Sequence, residues 1–280
     1  MSFFEYLQFD YIQYAIIVGV LIALCASLIG VPLVLKRYSL IGMGLSNLAF
    51  AGVALAMVIN LANNLFITMP LTIAVAIFLL VGRNQKIKGD AAIAMISVGS
   101  LAVGYFLINT FSNGGNVSAD VCKSLFGSTS ILTLNSSDVW ISAVLSVLVV
   151  ATFIVFYNKI FAITFDPDFA KASGVKTKVY EILIATVIGI VVALSMRLVG
   201  SLLTSALIVF PALSSMRLFK DFRSVVICSG IIGVVCAFLG LVYSIMLGTP
   251  VGATIVIANI LLFVIFWVIG IFTRGKLWKK

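Results

Sequence analysis

Apolar residues run through this chain in long tracts, and charged residues fall mostly where the tracts end. The uncharged intervals are residues 11–35, 38–82, 91–119, 139–158, 182–196, 198–216 and 224–273. A helix needs about 20 apolar residues to cross a bilayer. The second and last intervals are each long enough for two crossings. Asn60, Asn63 and Asn64 divide the former, and Gly248, Thr249 and Pro250 the latter; these are turn-forming residues. The pattern predicts nine spans, at about 13–35, 39–59, 65–82, 91–111, 139–157, 180–196, 199–216, 224–247 and 252–272. The expected fold class is all-α, a polytopic membrane protein. Residues 1–280 would form one transmembrane domain. The longest charge-bearing connection, residues 158–181, is too short to build a soluble core.

Composition agrees. The chain is 62% hydrophobic and 10% charged, whereas a soluble domain has roughly 25% charged residues. Lipid must be its solvent. The net charge of +9 is explained by topology. Lys36, Arg37, Arg83, Lys86, Lys88, Lys159, Lys171, Lys176, Lys178, Arg217, Lys220, Arg223, Arg274, Lys276, Lys279 and Lys280 fall on one side of the predicted spans, and only Lys123 and Arg197 on the other. By the positive-inside rule the N-terminus is expected outside and the C-terminus inside. These cations are spread over five short loops, which argues against a nucleic-acid surface. The aromatic opening, residues 2–11, is expected at the outer interface. The first tract has no basic region before it and reads as a retained span. Cys25, Cys122, Cys228 and Cys236 have no metal-site or redox spacing and read as fillers.

Two segments carry candidate chemistry. After Lys36 and Arg37, the next tract places Ser39, Met43, Ser46 and Asn47 on one helical face. A polar stripe on a membrane helix normally faces something other than lipid. The second segment is the inward connection. Asp166 before Pro167 reads as an N-cap with proline at the first helical position. Asp166 and Asp168 lie at the positive end of the helix dipole, and Gly174 is placed to end the helix. A short helix over about 167–173 follows, either an ordinary capped loop or a docking helix for a cytoplasmic protein. Pro211, deep in the seventh span, is a candidate kink or gate. Arg197 either pairs with Asp138 or Asp120 or snorkels to the interface, the simpler reading. Gly99, Gly104, Gly230 and Gly233 suggest close helix packing.

Four blocks carry a family resemblance: Leu35-Lys-Arg-Tyr-Ser-Leu-Ile-Gly-Met-Gly-Leu-Ser46, Leu125-Phe-Gly-Ser128, Phe165-Asp-Pro-Asp-Phe-Ala170 with Gly174, and residues 197–212 from Arg197-Leu-Val-Gly-Ser-Leu-Leu203 to Pro211-Ala212. In order and spacing, over roughly residues 12–272, they resemble the permease subunits of bacterial ATP-binding-cassette importers for zinc, manganese or iron. The resemblance implies a multi-pass protein of the bacterial cytoplasmic membrane. It implies a homodimer with a pathway at or near its axis, a pair of cytoplasmic ATPases and an extracytoplasmic metal-binding protein. Residues 166–174, with Asp166, Pro167, Asp168, Ala170 and Gly174, would form the ATPase-coupling helix. No cofactor is expected on this subunit. It has no Gly-x-x-x-x-Gly-Lys-Ser/Thr to cradle a nucleotide phosphate, so ATP hydrolysis would belong to the partner.

The stripe departs from the family. Met43 stands where the family has Asp, and Asn47 where it has His; the chain contains no histidine. A thioether and a neutral carbonyl are poor ligands for zinc or manganese. Met43 reads either as a packing residue or as a pathway residue, and Ser46 and Asn47 as interhelical hydrogen-bonding groups or pathway groups. Two explanations fit. Weak pathway ligands suffice for a conduit whose partner sets specificity, since an ion must also leave; this needs fewer changes. Alternatively the cargo is a softer metal or a metal complex. An ion-coupled secondary transporter or channel is the reading from another class. Such proteins place ionisable groups at mid-membrane, where this chain has few.

Overall fold

The computed structural model describes residues 10–59, 61, 64–81, 89–111, 125 and 136–277. In chain order these form α1 (Asp10–Leu35), α2 (Ile41–Val58), α3 (Leu65–Val81), α4 (Gly89–Phe111), α5 (Ser136–Phe165), α6 (Pro167–Ala172), α7 (Thr177–Val199), α8 (Ser201–Leu218), α9 (Phe222–Leu247) and α10 (Val251–Leu277). Eight are long and apolar enough to cross a membrane. The ninth predicted span, α3, has 17 residues and rises about 26 Å, slightly less than the roughly 30 Å hydrocarbon core.

Each predicted span coincides with a helix, with two boundary corrections. The helix expected to end near 157 continues as α5 to Phe165, so Asn158 and Lys159 are helical and lie exposed on its side. A long polar side chain on an exposed helix face leaves the backbone ladder intact. The span expected from 39 begins at Ile41, leaving Ser39 and Leu40 in the preceding turn. The aromatic opening 2–9, the motif residues Phe126, Gly127 and Ser128, the segment around Lys123 and Cys122, and Arg83, Lys86 and Lys88 lie outside the described residues.

The helix α1 runs through the core and packs against α5, α8 and α9. Small residues allow this. A Cβ added at Gly30 would sit 1.9 Å from the Ile208 carbonyl oxygen of α8, so the two backbones nearly touch. The Ser229 hydroxyl of α9 donates to the Ser27 carbonyl of α1 at 3.0 Å. On the other side, α3 is held to α7 by the Thr72 hydroxyl, which donates to the Gly189 carbonyl at 3.1 Å. Of the glycines expected to mark close packing, Gly104 faces the Phe50 ring and Gly233 faces Ser27. Gly230 is in ordinary van der Waals contact, and Gly99 meets nothing within 4 Å. The helices α4, α5 and α10 are the least enclosed and carry the most exposed apolar faces.

Apart from Arg197, the described cations lie toward one end of the bundle. Lys36 at the end of α1 meets Glu181 at the start of α7. Phe222 at the start of α9 packs on Phe161 and Phe165 at the end of α5. The end of α10 passes the backbone of Arg217 at Gly270. The short helix α6 projects from this same end, between α5 and α7.

Candidate functional site

The turn between α1 and α2 shapes the site. Arg37 adopts φ 64, the left-handed region. Its N–H donates to the Val34 carbonyl at 3.0 Å, and the Tyr38 N–H donates to the Leu33 carbonyl at 2.9 Å. This paired pattern closes a helix C-terminus and usually employs glycine. An arginine there costs about 1 kcal/mol or more. The turn swings Lys36 toward α7, where its Nζ lies 3.4 Å from Glu181 Oε1. The side chains are only 17% and 14% exposed, so the pair is less screened than a surface ion pair.

Beyond the turn, the four stripe residues separate. Ser39, Leu40 and Met43 line an open-sided cavity of about 480 Å³, bounded by Ser205, Val209 and Phe210 of α8 and by Val256 and its neighbours on α10. Met43 is 40% exposed into this space. Ser46 is fully buried and donates to the Met43 carbonyl at 3.1 Å. The Asn47 amide donates to the Ser97 hydroxyl of α4 at 2.9 Å. The expected common face therefore divides: Ser39 and Met43 toward the cavity, Ser46 and Asn47 toward neighbouring helices. Asn47 makes an interhelical bond, whereas Ser46 bonds back within α2, and neither lines the cavity. The cavity's polar donors are the Met43 thioether and the hydroxyls of Ser39 and Ser205, in an otherwise apolar wall. Such a wall carries no formal charge. It can touch a hydrated or chelated cation but cannot strip one of water. Among the described residues, no three of His, Cys, Asp and Glu gather into a metal-binding group.

Pro211 is buried inside α8, which stays helical from Ser201 to Leu218. It leaves the Leu207 carbonyl without its helical donor, yet its neighbours Val209 and Phe210, not Pro211 itself, face the cavity. Arg197 pairs with Asp138: Nη2 lies 3.8 Å from Oδ1, at the end opposite α6. Asp138 belongs to the first turn of α5, where a carboxylate suits the helix dipole.

The projecting helix α6 is built as its sequence suggests. Asp166 Oδ1 accepts from the N–H groups of Asp168 at 3.1 Å and Phe169 at 2.9 Å. Pro167 opens the helix, Asp168 sits in the first turn and Lys171 in the last. Gly174 takes φ 81. Its N–H donates to the Lys171 carbonyl, and the Val175 N–H donates to the Ala170 carbonyl, both at 3.1 Å. Ala170 is 1% exposed and faces the bundle, while Phe169 is 69% exposed on the outer face. A capped helix holding an exposed aromatic ring outward has the form of a docking element.

Sequence reasoning did not single out Ser97, Ser205, Phe210 or Glu181. Ser205 and Phe210 sit at the unspecified positions of the 197–212 block. Ser97 and Glu181 acquire meaning only through partners 50 and 145 residues away.

Comparison with known proteins bears on this geometry. Residues 8–270 match the profile of the ABC 3 transport family. The chain is 29% identical over 266 residues to the manganese import system permease protein ScaB of Streptococcus gordonii, covering 94% of this chain and 92% of that protein. It is 28% identical over 271 residues to the manganese transport system membrane protein MntC of Listeria monocytogenes, covering 95% and 94%. It is similar to the solved structure of PsaBC from Streptococcus pneumoniae in complex with Fab, with a TM-score of 0.81 and 27% identity, covering 95% of this chain and 94% of that one. The bundle of membrane-spanning helices and the match across nearly the whole length place this multi-pass chain in the ABC 3 transport family.

Proposed function

We infer that this chain is the membrane-spanning permease subunit of an ATP-driven importer of divalent metal ions of the zinc or manganese class. The observation that carries the reading is α6: a capped helix at the cation-rich end of a membrane bundle, with Phe169 exposed. The relatives named as manganese permeases support it. In this reading two copies of the chain enclose the pathway, and cytoplasmic ATPases hold Asp166–Gly174 of each copy. An extracytoplasmic protein delivers the metal. The cation-rich end lies in the cytoplasm, in keeping with the positive-inside rule.

The geometry suggests how movement of α6 would reach the pathway. Immediately after α6 the chain enters α7, whose Glu181 holds Lys36. Lys36 and Arg37 lead directly into Ser39 and Leu40 on the cavity wall. The ion pair is thus the short link from the ATPase contact to the cavity lip. Cargo passes the cavity without a strong ligand in its wall, so selectivity rests mainly with the delivery protein. A second reading has one observation in its favour: the Met43 thioether is a soft donor and no carboxylate accompanies it in the cavity wall. The same machinery would then carry a softer metal or a metal complex.

Deleting the chain's gene and measuring zinc, manganese, iron and copper in the cells tests the function. A fall in manganese or zinc, restored by the gene, is the expected result. A fall in copper alone favours the second reading, and unchanged levels of every metal refute both.

A further inference from the structure

A groove of about 540 Å³ opens between α1, α5 and α9, away from the cavity at Met43. Its wall is apolar, formed by Leu28, Val150, Phe153, Ile154 and Val226. Its end is polar, formed by Tyr157, Asn158 and Arg223. From Val150 to Asn158 the α5 backbone rises about 12 Å, close to the roughly 15 Å of one leaflet's hydrocarbon. Ile154 is 72% exposed, so the groove is open sideways, where acyl chains are.

Arg223 gives this groove a chemical preference. Its guanidinium has five donors and makes no hydrogen bond or ion pair with the described residues. The Tyr157 ring rests on Phe222, centroids 5.5 Å apart, which holds the polar end together. Lys220 and Asp221 precede Phe222 in the chain and Lys159 follows Asn158, all three exposed. Arg223 is the charged residue of the groove lining. Phe222 also packs on Phe165, so this end is the one that carries α6.

We propose that the groove between α1, α5 and α9 is a binding site for an anionic phospholipid. One acyl chain lies against Leu28, Val150 and Ile154, and the phosphate lies on Arg223 with the Tyr157 hydroxyl and Asn158 amide beside it. A zwitterionic lipid offers the same chain but no net charge, so the site discriminates by its headgroup. A partner helix from a second copy would fill the wall but leave Arg223 without an anion.

Native mass spectrometry of the full chain, released from detergent with equal amounts of phosphatidylglycerol and phosphatidylcholine, tests this. The wild type is expected to retain phosphatidylglycerol preferentially. Arg223→Gln should lower that retention about fivefold and erase the preference. Val150→Trp should lower retention of both lipids by filling the groove. Lys176→Gln, the same charge change at an exposed residue outside the groove, should leave retention unchanged. Equal retention by wild type and Arg223→Gln overturns the proposal, as does an equal loss in Lys176→Gln. Efficient disulfide cross-linking of two copies through Ile154→Cys in native membranes also overturns it, by showing that a second copy covers the groove.

Discussion

Lys36 and Glu181, 145 residues apart, form a half-buried ion pair at 3.4 Å that joins the end of α1 to the start of α7. If this pair links α6 to the cavity lip, charge reversal at either residue should lower ATP-driven uptake about tenfold while ATP hydrolysis persists. The exchange Lys36→Glu with Glu181→Lys should restore most of the loss. A double-mutant cycle should give a coupling of about 1–2 kcal/mol, between exposed and fully buried pairs. Unchanged uptake in both single variants would remove the pair from the coupling path.

The α6 helix offers a second test. Asp166→Lys and Asp168→Lys reverse charge at the helix start, and Ala170→Pro breaks the helix. Each should uncouple hydrolysis from uptake in the assembled transporter. Asp166→Ala loses the cap alone, at about 1 kcal/mol of local stability, and should show a milder defect. Normal metal accumulation in all four would exclude α6 as the docking element.

The divided stripe predicts unequal effects at two positions that share a spacing. Met43→Asp places a carboxylate in the cavity and should increase manganese binding by the purified chain in isothermal titration calorimetry, by tenfold or more. Asn47→Asp points toward Ser97 and should increase it little. Equal gains at both positions would mean that Asn47 also reaches the cavity.

Backbone geometry predicts stability. Gly30→Ala forces a carbon to 1.9 Å from the Ile208 carbonyl and should destabilise by about 3 kcal/mol or more. Gly99→Ala meets nothing within 4 Å and should be neutral or stabilising by up to about 1 kcal/mol. Arg37→Gly relieves a left-handed arginine and should stabilise by about 1 kcal/mol. Thermal unfolding in detergent measures all three; a Gly30→Ala variant as stable as wild type would contradict the close α1–α8 approach.

The hydrophobic tracts were enough to place every long helix, because a lipid-facing helix must be apolar along its length. Asp166, Pro167 and Gly174 likewise announced α6, since capping chemistry is local. The end of α5 was less legible: Asn158 and Lys159 look like a boundary, but on an exposed face they do not interrupt the helix. The spacing of Met43 and Asn47 put them on one face without telling which neighbour covers it. Ser97 decides that for Asn47 and the gap between α8 and α10 for Met43. Such long-range partners leave no local pattern. Arg197 had two candidate carboxylates; packing brings it to 3.8 Å from Asp138, and Asp120 lies outside the described residues.

The central claim is that ATP hydrolysis in a partner drives metal through this chain. Its most direct test is uptake of radiolabelled manganese and zinc into proteoliposomes holding the chain with the ATPase and delivery protein proposed as its partners. We predict accumulation with ATP inside the assay, none with a non-hydrolysable analogue, and none driven by an ion gradient alone. Accumulation driven by an ion gradient without ATP, or sustained ATP hydrolysis with no movement of either metal, would contradict it.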